Sequence, residues 1–172
     1  MSKQSYRKEV KSISNDLSLA EMGLSVATGY ARSASQLDAR LLEEARGLIA
    51  QGVREINLVA QDLASYGKDR PDDLGAGSIV PLVRAVSAVA DWTRLLYLYP
   101  SDLTDELIDA ICHTGVPYFD LSLQHVSKPL LRRMRRWGDG ERFLRRIADI
   151  RAREPHAAFR SNFIVGYPGE TE

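Results

Sequence analysis

The sequence predicts an α/β protein built on a parallel β-sheet, and three observations support this fold class. Short apolar segments with strand character alternate with amphipathic helical segments along residues 36–172. Helical connections between strands are typical of parallel strands joined by right-handed crossovers. Each predicted strand also ends in a polar or turn-forming cluster, as expected where the carboxyl ends of parallel strands meet. The pattern fits a small open sheet or an arc of a (β/α) barrel.

The first 35 residues are the least regular part of the chain, because no hydrophobic period is sustained there. A weak amphipathic helix near residues 3–22 is the one element predicted in this segment. A clear helix begins at Gln36, and Gly52 is expected to end it, because glycine often occupies the position after a helix C-terminus. Its apolar residues recur at helical spacing; they are Leu37, Leu41, Ala45, Leu48 and Ile49. Residues 1–35 are therefore set apart from the regular region 36–172.

The first clearly predicted strand is Glu55–Ala60, and a loop rich in glycine, aspartate and proline follows it. Ser78 is expected to cap the next helix, with Pro81 in the first turn, where a missing amide costs little. A second strand, Arg94–Tyr99, ends at Pro100. This order continues the strand–helix alternation.

The second half of the chain repeats the same alternation. Ser101 or Thr104 is expected to cap the next helix. A strand with alternating apolar and polar residues then runs from Tyr118 and ends in the pair Gln124-His125, before a basic helix. Another helix begins at Asp139, and a last strand covers residues 158–165. No helix follows this strand, so the predicted α/β unit looks truncated.

Composition excludes few functions. The chain has 172 residues, of which 44% are hydrophobic and 27% charged, with a formal net charge of zero. These values are ordinary for a soluble globular domain and give no overall charge for binding nucleic acid or membranes. No window approaches the roughly 20 apolar residues of a membrane span, and the N-terminus lacks the pattern of a secretory signal. We expect a cytoplasmic protein without a membrane partner.

Cysteine content limits the metal chemistry of this sequence. Cys112 is the only cysteine, so neither an intrachain disulfide nor an all-cysteine metal or iron–sulfur site can form. It shares a helical face with Ile108, which favours a buried core thiol. His113, near the end of the same helix, is expected to contact the last carbonyls. We predict no metal site.

Four strand ends carry the residues most suited to binding a ligand. They are Gln61-Asp62, Pro100-Ser101-Asp102, Gln124-His125 and the segment from Gly166 to Glu170. Each cluster alone has an ordinary structural explanation as a cap, a loop or a turn. Because parallel strands bring their carboxyl ends to one edge, the four together predict a ligand site at that edge. No phosphate-binding glycine loop and no recognisable nucleophile–base pair identifies a catalytic residue.

The run Arg132–Arg136, followed by Arg142, Arg145 and Arg146, makes the region after Gln124 locally basic. A solvated helix face is the simpler interpretation. The alternative is a surface for an anionic partner, such as ribosomal RNA near a protein substrate.

Four motifs, in this order and spacing, resemble the radical S-adenosylmethionine methylthiotransferases. They are INLVAQDLASYGKD, LLYLYPSDLTDELIDAI, YFDLSLQHVSKPLLRRMRR and FRSNFIVGYPGETE. The YLYP and DLSLQH strand ends are most similar to the RimO branch, which methylthiolates an aspartate of ribosomal protein S12. The tRNA-modifying branch usually has a Ser-Pro-His-Pro type segment at the second of these places. The resemblance covers roughly residues 36–172.

The resemblance implies a partial (β/α) barrel of the radical SAM type that binds S-adenosylmethionine at the carboxyl edge. It also implies [4Fe–4S] clusters, one of them on a CxxxCxxC loop after the first strand. Transferred by position, the cofactor-binding residues are Gln61 and Asp62 after one strand, Ser122 and Gln124 at the end of another, and Gly166 and Gly169 after the last. The barrel is expected to be incomplete, with its first strand and its C-terminal part missing.

One departure from the family pattern is severe, because no CxxxCxxC is present and the chain should not catalyse methylthiolation alone. Ala27, Ala31 and Ala34 have the same spacing as the missing cysteines. A reading frame shifted by one base could turn these alanine codons into cysteine codons. We therefore hypothesise that residues 1–35 derive from a shifted frame, which the nucleotide sequence would decide.

The sequence is compatible with three functional hypotheses. The leading one is a fragment of an enzyme that modifies ribosomal protein S12, with ribosome contact as a further expectation. The second is a fragment of a tRNA-modifying methylthiotransferase. The third belongs to a different class, a non-catalytic α/β module that binds a nucleotide-like ligand or the ribosome.

Overall fold

The structure is a computed structural model that describes residues 10–12, 34–60, 63, 66 and 78–171. Its centre is a five-stranded sheet in the order β1-β2-β3-β4-β5, in which every neighbouring pair is parallel. The strands are β1 (Val10–Ser12), β2 (Glu55–Leu58), β3 (Trp92–Leu98), β4 (Tyr118–Gln124) and β5 (Ala158–Phe163). Sequential order across the sheet is the arrangement of a barrel arc. The predicted α/β fold and partial barrel are confirmed.

Five helices connect the strands within the described ranges: α1 (Ala34–Ala50), α2 (Val80–Ser87), α3 (Asp105–Cys112), α4 (Lys128–Arg133) and α5 (Gly140–Arg153). Two of these helices begin with a side-chain cap, and the sequence predicts one of the two, Thr104. Thr104 accepts one from the Leu107 amide at 3.2 Å, and Asp139 accepts one from the Arg142 amide at 2.9 Å. Such caps satisfy amides that the first helical turn leaves without partners.

The core lies between the helices and one face of the sheet. In α1 the stripe at Leu41, Ala45 and Leu48 is buried, as its spacing predicts. On the sheet, Phe119 is fully buried, and its ring stacks on Phe159 with centroids 5.4 Å apart. Stacked rings of this kind add to the stabilisation that burial alone provides. The helices therefore hold the sheet in place by apolar contact along one face.

Strand β1 corrects two expectations. Residues 10–12 form a strand where the sequence predicts a weak helix, and they occupy the sheet edge where a first strand was expected to be missing. The three residues pair in parallel with residues 55–57 of β2. A strand of three residues is too short to show an alternating pattern, and long-range backbone pairing decides its structure. The rest of the segment 3–22 lies outside the described residues.

None of the helices within the described ranges has both the length and the apolar character to cross a membrane.

Candidate functional site

The carboxyl ends of β3, β4 and β5 lie side by side, because the strands are parallel neighbours. After β3 the chain forms a short 3-10 helix, Pro100–Asp102. Gln124 is the last residue of β4, and the turn Gly166–Glu170 follows β5. Three of the four predicted strand-end clusters are thus brought to one edge, which we call the carboxyl rim. Gln61 and Asp62, the fourth cluster, lie outside the described residues.

Both β3 and β4 contain an irregularity just before the carboxyl rim. The pairing register shifts between Leu95 and Leu98 of β3, and again between Leu121 and Gln124 of β4. Tyr97 and Gln124 adopt positive φ angles of 62° and 66° there. Bulges of this kind re-aim side chains and are frequent beside active sites. The simple alternation of the sequence therefore does not fix the direction of the Gln124 side chain.

Side chains from the next strand satisfy the amides near the two irregularities. The Tyr97 amide donates to Asp120 Oδ2 at 3.3 Å, and the Leu123 amide donates to Ser161 Oγ at 3.4 Å. Asp120 is 2% exposed and also lies 3.6 Å from Arg160. A buried backbone amide without a partner would cost about 1–3 kcal/mol. Asp120 and Ser161 therefore support the two distorted strand ends.

His125 joins the ends of β4 and β5 across the carboxyl rim. Its Nε2 lies 3.1 Å from Glu170 Oε1, while its Nδ1 lies 2.8 Å from the Ser127 amide nitrogen. Because an amide can only donate, Nδ1 is the acceptor, and the neutral ring carries its proton on Nε2. Nε2–H therefore donates to the Glu170 carboxylate.

Glu170 completes this connection from the side of the turn. Its Oε2 accepts a hydrogen bond from the Tyr167 amide at 3.1 Å, so one carboxylate binds both the turn and His125. These hydrogen bonds lower the pKa of Glu170 below its usual value, with the bond from His125 as the largest cause. Hydrogen bonds to the ionised form favour that form. Glu170 is thus held as a carboxylate that fixes the turn.

The turn itself depends on two glycines and on helix α4. Gly166 and Gly169 have φ angles of 73° and 89°, a region that disfavours other residues. The Arg133 guanidinium packs so closely on Gly169 that a side chain there would displace it. Tyr167 Oη donates to the Arg133 carbonyl at 3.3 Å. The predicted pair Gly166 and Gly169 therefore shapes a backbone segment that is pinned to the neighbouring helix.

The predicted site residues have different outcomes. Gln124 is adjacent to the last segment, since its carbonyl accepts from the Ile164 amide at 2.8 Å. Ser122 is half-buried one position before the buried Leu123. Sequence reasoning missed the roles of Asp120 and Glu170. Their signals were a charged residue within an apolar strand and an acidic residue after a double-glycine turn.

Cys112 lies away from the carboxyl rim. It ends α3, and the Thr114 carbonyl just beyond it accepts from the amide of Thr93 at the start of β3. The thiol is therefore near the amino edge of the sheet and half-buried, rather than fully buried as predicted. Burial is the main cause that raises its pKa, which makes it a poor thiolate. Among the described residues, no group of acidic, histidine or cysteine side chains could hold a metal ion.

The arginines of α4 and α5 differ in their partners. On α5, Arg142, Arg145 and Arg146 lie 3.5–3.6 Å from carboxylate oxygens. On α4, Arg132 and Arg133 are exposed and form no ion pair with any carboxylate in the described part of the chain. The predicted basic region is therefore neutralised along α5 and stays positively charged along α4.

The chain is similar to known proteins over most of its length. Residues 26–172 match the Radical SAM superfamily. The chain is 50% identical over 136 residues to the ribosomal protein uS12 methylthiotransferase RimO of Cutibacterium acnes. It is 45% identical over 136 residues to the protein of the same name from Geobacter sulfurreducens, and 44% identical over 139 residues to that of Sorangium cellulosum.

These alignments include 77–78% of this chain but only 28–30% of the three relatives. The chain thus spans less than a third of their length. The superfamily match nevertheless covers most of the chain, including β2 to β5 and the carboxyl rim. This chain belongs to the Radical SAM superfamily.

Proposed function

We propose that this chain is a barrel fragment of an enzyme that methylthiolates ribosomal protein uS12. The observation that carries the proposal is 50% identity to a uS12 methylthiotransferase over 136 residues, which make up 78% of this chain. The region 36–172 would form the main part of the barrel, and β1 from the segment 1–35 would add its edge strand. Because the named substrate of the relatives is a ribosomal protein, we also propose a cytoplasmic location.

The residues of the carboxyl rim suit S-adenosylmethionine, a ligand with a nucleoside and an amino-acid portion. Gln124 and Ser122 offer polar side chains at the end of β4, and Gly166 and Gly169 keep the following backbone open to close approach. Gln61 and Asp62 would contribute from the end of β2. In this superfamily S-adenosylmethionine supplies the radical for the reaction. The residues of this chain would bind and orient it.

The [4Fe–4S] cluster of the family does not fit this sequence. A cluster needs several thiolates, whereas the sequence contains Cys112 alone, and that thiol lies near the amino edge of the sheet. We therefore propose that the chain by itself does not catalyse methylthiolation. The spacing of Ala27, Ala31 and Ala34 keeps open the hypothesis of a shifted reading frame. If the nucleotide sequence yields no cysteine codons in another frame at those positions, this hypothesis is wrong.

Anaerobic reconstitution of the 172-residue chain with iron and sulfide tests the inactive state. We expect no visible absorbance band of an iron–sulfur cluster and no cleavage of S-adenosylmethionine after reduction. A complete relative, treated in parallel, should show both signals and serves as the positive control. A bound cluster with cofactor cleavage in the 172-residue chain would overturn this part of the proposal.

A chimera tests the substrate. Residues 36–172 would replace the matching segment of the complete Cutibacterium relative, which keeps its own cluster loop and C-terminal part. We expect methylthiolation of uS12, detected by mass spectrometry of its peptides, at a rate comparable to that of the relative. Modification of tRNA instead would support the tRNA-modifying alternative.

The exposed arginines of α4 support a further element of this proposal, contact with the ribosome. Arg132 and Arg133 have no carboxylate partner in the described part of the chain, so they are available to phosphate groups. The same feature would serve a non-catalytic module that binds the ribosome. Binding of S-adenosylmethionine by the chain would favour the enzyme fragment over that module.

A further inference from the structure

An extra residue in β3 turns Tyr97 out of the sheet at the carboxyl rim. The pairing register places Leu96 and Tyr97 together opposite Asp120 alone. Leu95 and Leu98, on either side of this pair, are both fully buried in the core. Because these two core positions are three residues apart instead of two, the bulge interrupts the alternation of the strand. Tyr97 therefore projects from the face opposite the helices, and it is 45% exposed.

The backbone of Tyr97 is strained. Its φ of 62° lies in the left-handed region, which bulky residues rarely adopt and which glycine or asparagine adopts more readily. The buried Asp120 carboxylate accepts a hydrogen bond from the Tyr97 amide at 3.3 Å and helps to hold this conformation. Strained residues of this kind persist where the surrounding structure enforces them, and they cluster at functional sites. The needs of the fold therefore do not account for a tyrosine here.

The Tyr97 side chain is available to a ligand. Its hydroxyl makes no hydrogen bond, and its ring makes no aromatic or cation contact, with the residues that the structure describes. Other tyrosines of the sheet and rim differ in this respect. Arginine guanidinium groups lie 4.6 Å from the ring centroid of Tyr99 and 4.9 Å from that of Tyr118, and Tyr167 donates to a backbone carbonyl. Tyr97 thus presents a free ring and hydroxyl at the edge where parallel sheets bind ligands.

The chemistry of this side chain suits a polypeptide. Tyrosine combines a rigid apolar ring with one hydroxyl that can hydrogen-bond to a peptide group, a combination that is enriched at protein–protein interfaces. It carries no positive charge for the phosphate groups of RNA. The cofactor-binding residues predicted within the described ranges belong to β4 and to the turn after β5. The end of β3 is therefore open to the other reactant.

We propose that Tyr97 binds the protein substrate at the carboxyl rim. Its ring would pack against an apolar part of the bound segment, and its hydroxyl would hydrogen-bond to a peptide group of that segment. The inference rests on the proposed function, in which the substrate is uS12. The bulge sets the direction of the side chain before the substrate arrives, which reduces the entropy lost on binding.

Binding to the 172-residue chain tests this inference. Fluorescence anisotropy would measure the affinity for a labelled uS12 peptide that contains the modified aspartate, and equilibrium dialysis would measure the affinity for S-adenosylmethionine. Tyr97→Ala should weaken peptide binding about tenfold, and Tyr97→Phe about threefold because it keeps the ring. Neither variant should change the affinity for S-adenosylmethionine. Trp92→Ala, which removes a 42% exposed aromatic at the opposite end of β3, is the matched control and should leave both affinities unchanged.

Tyr97→Asn separates a binding role from a structural one. Because asparagine tolerates a positive φ better than tyrosine does, the urea midpoint of this variant should not fall below that of the wild-type chain. Its affinity for the peptide should nevertheless fall as in Tyr97→Ala. A lower midpoint with unchanged peptide affinity would assign the tyrosine to the fold and overturn the inference. Circular dichroism reports whether each variant keeps its fold.

The remaining outcomes distinguish the inference from the proposed function. If the wild-type chain binds the peptide and folded Tyr97→Ala binds it equally well, the inference is wrong while the proposed function stands. A variant that loses affinity for S-adenosylmethionine but not for the peptide would make Tyr97 a cofactor contact and would also overturn the inference. If the wild-type chain binds neither the peptide nor S-adenosylmethionine, both fail.

Discussion

The two faces of the sheet differ in the side chains they carry, apolar on one and charged on the other. The face that packs on the helices is apolar, with Ile56, Leu95 and Phe119 fully buried. By strand alternation the opposite face, which we call the polar face, carries charged residues at neighbouring positions. On it, Glu55 pairs with Arg94 at 3.2 Å, and Asp120 pairs with Arg160 at 3.6 Å. The registers place each of these pairs on adjoining strands.

Because of this difference, the helix-packed face mainly contributes stability, whereas the polar face determines which charged residues pair. Apolar contacts on the helix-packed face tolerate changes of partner as long as volume is conserved. Charged pairs on the polar face need specific neighbours, because a buried charge without its partner is costly. The polar face also continues into the carboxyl rim, since Asp120 supports the distorted end of β3. The helices therefore hold the sheet, and the polar face shapes the site.

The largest expected effect comes from the helix-packed face. Phe119→Ala would leave a cavity beneath the stacked Phe159 ring and lower the free energy of unfolding by about 3–5 kcal/mol. Urea unfolding followed by circular dichroism measures this loss. Leu144→Ala on α5 is the control, because Leu144 is 68% exposed and should change stability by less than about 0.5 kcal/mol. Equal losses in both variants would contradict the assigned face.

The next effect tests the polar face. Asp120→Ala removes the acceptor of the Tyr97 amide and the partner of Arg160, and should cost about 1–3 kcal/mol of unfolding free energy. Asp120→Asn keeps an acceptor oxygen and should cost less. Urea unfolding compares the two variants with Asp149→Asn, which changes an exposed carboxylate of α5. If Asp120→Asn and Asp120→Ala lower the unfolding free energy equally, the hydrogen bond from the Tyr97 amide to residue 120 does not stabilise the fold.

The two faces also differ in how far they can be predicted from sequence. Helical spacing identified Leu41 and Ala45, and alternation identified Phe119, because burial of apolar area follows from local periodicity. The polar face depends on pairing between strands, so the roles of Asp120 and Arg160 were not predicted. A charged residue within an apolar strand marks Asp120 as unusual, but the sequence does not show which neighbouring strands supply its partners.

At the carboxyl rim, the chain order predicted which segments would meet, but not their connections. Gln124 and the turn Gly166–Glu170 were expected at the same edge, and they are adjacent. The bond between His125 and Glu170 joins residues 45 positions apart, and its geometry depends on the irregularities of β4. Strand β1 was missed for a similar reason, since its pairing with β2 is long-range.

The smallest expected effect concerns Glu170, and it distinguishes the rim from both faces by its dependence on pH. The pKa of Glu170 is lower in the folded chain than its usual value of 4.5, chiefly because His125 donates to the carboxylate. A lowered folded pKa means that the contribution to stability is complete above the usual pKa and is lost as the pH falls through the folded pKa. At pH values above about 5, Glu170→Gln should therefore lower the thermal midpoint of unfolding by a small amount. The difference from the wild-type chain should shrink as the solution becomes more acidic.

Amide exchange gives this prediction a local measurement. In Glu170→Gln the Tyr167 amide should exchange faster at neutral pH than in the wild-type chain, because the amide oxygen of the substituted side chain is a weaker acceptor than a carboxylate. Glu44→Gln, an exposed change on α1, is the control and should leave that amide unaffected. A Tyr167 amide whose exchange is the same in all three chains would show that the carboxylate does not hold the turn. The turn conformation would then depend on Gly166, Gly169 and the contact with Arg133 alone.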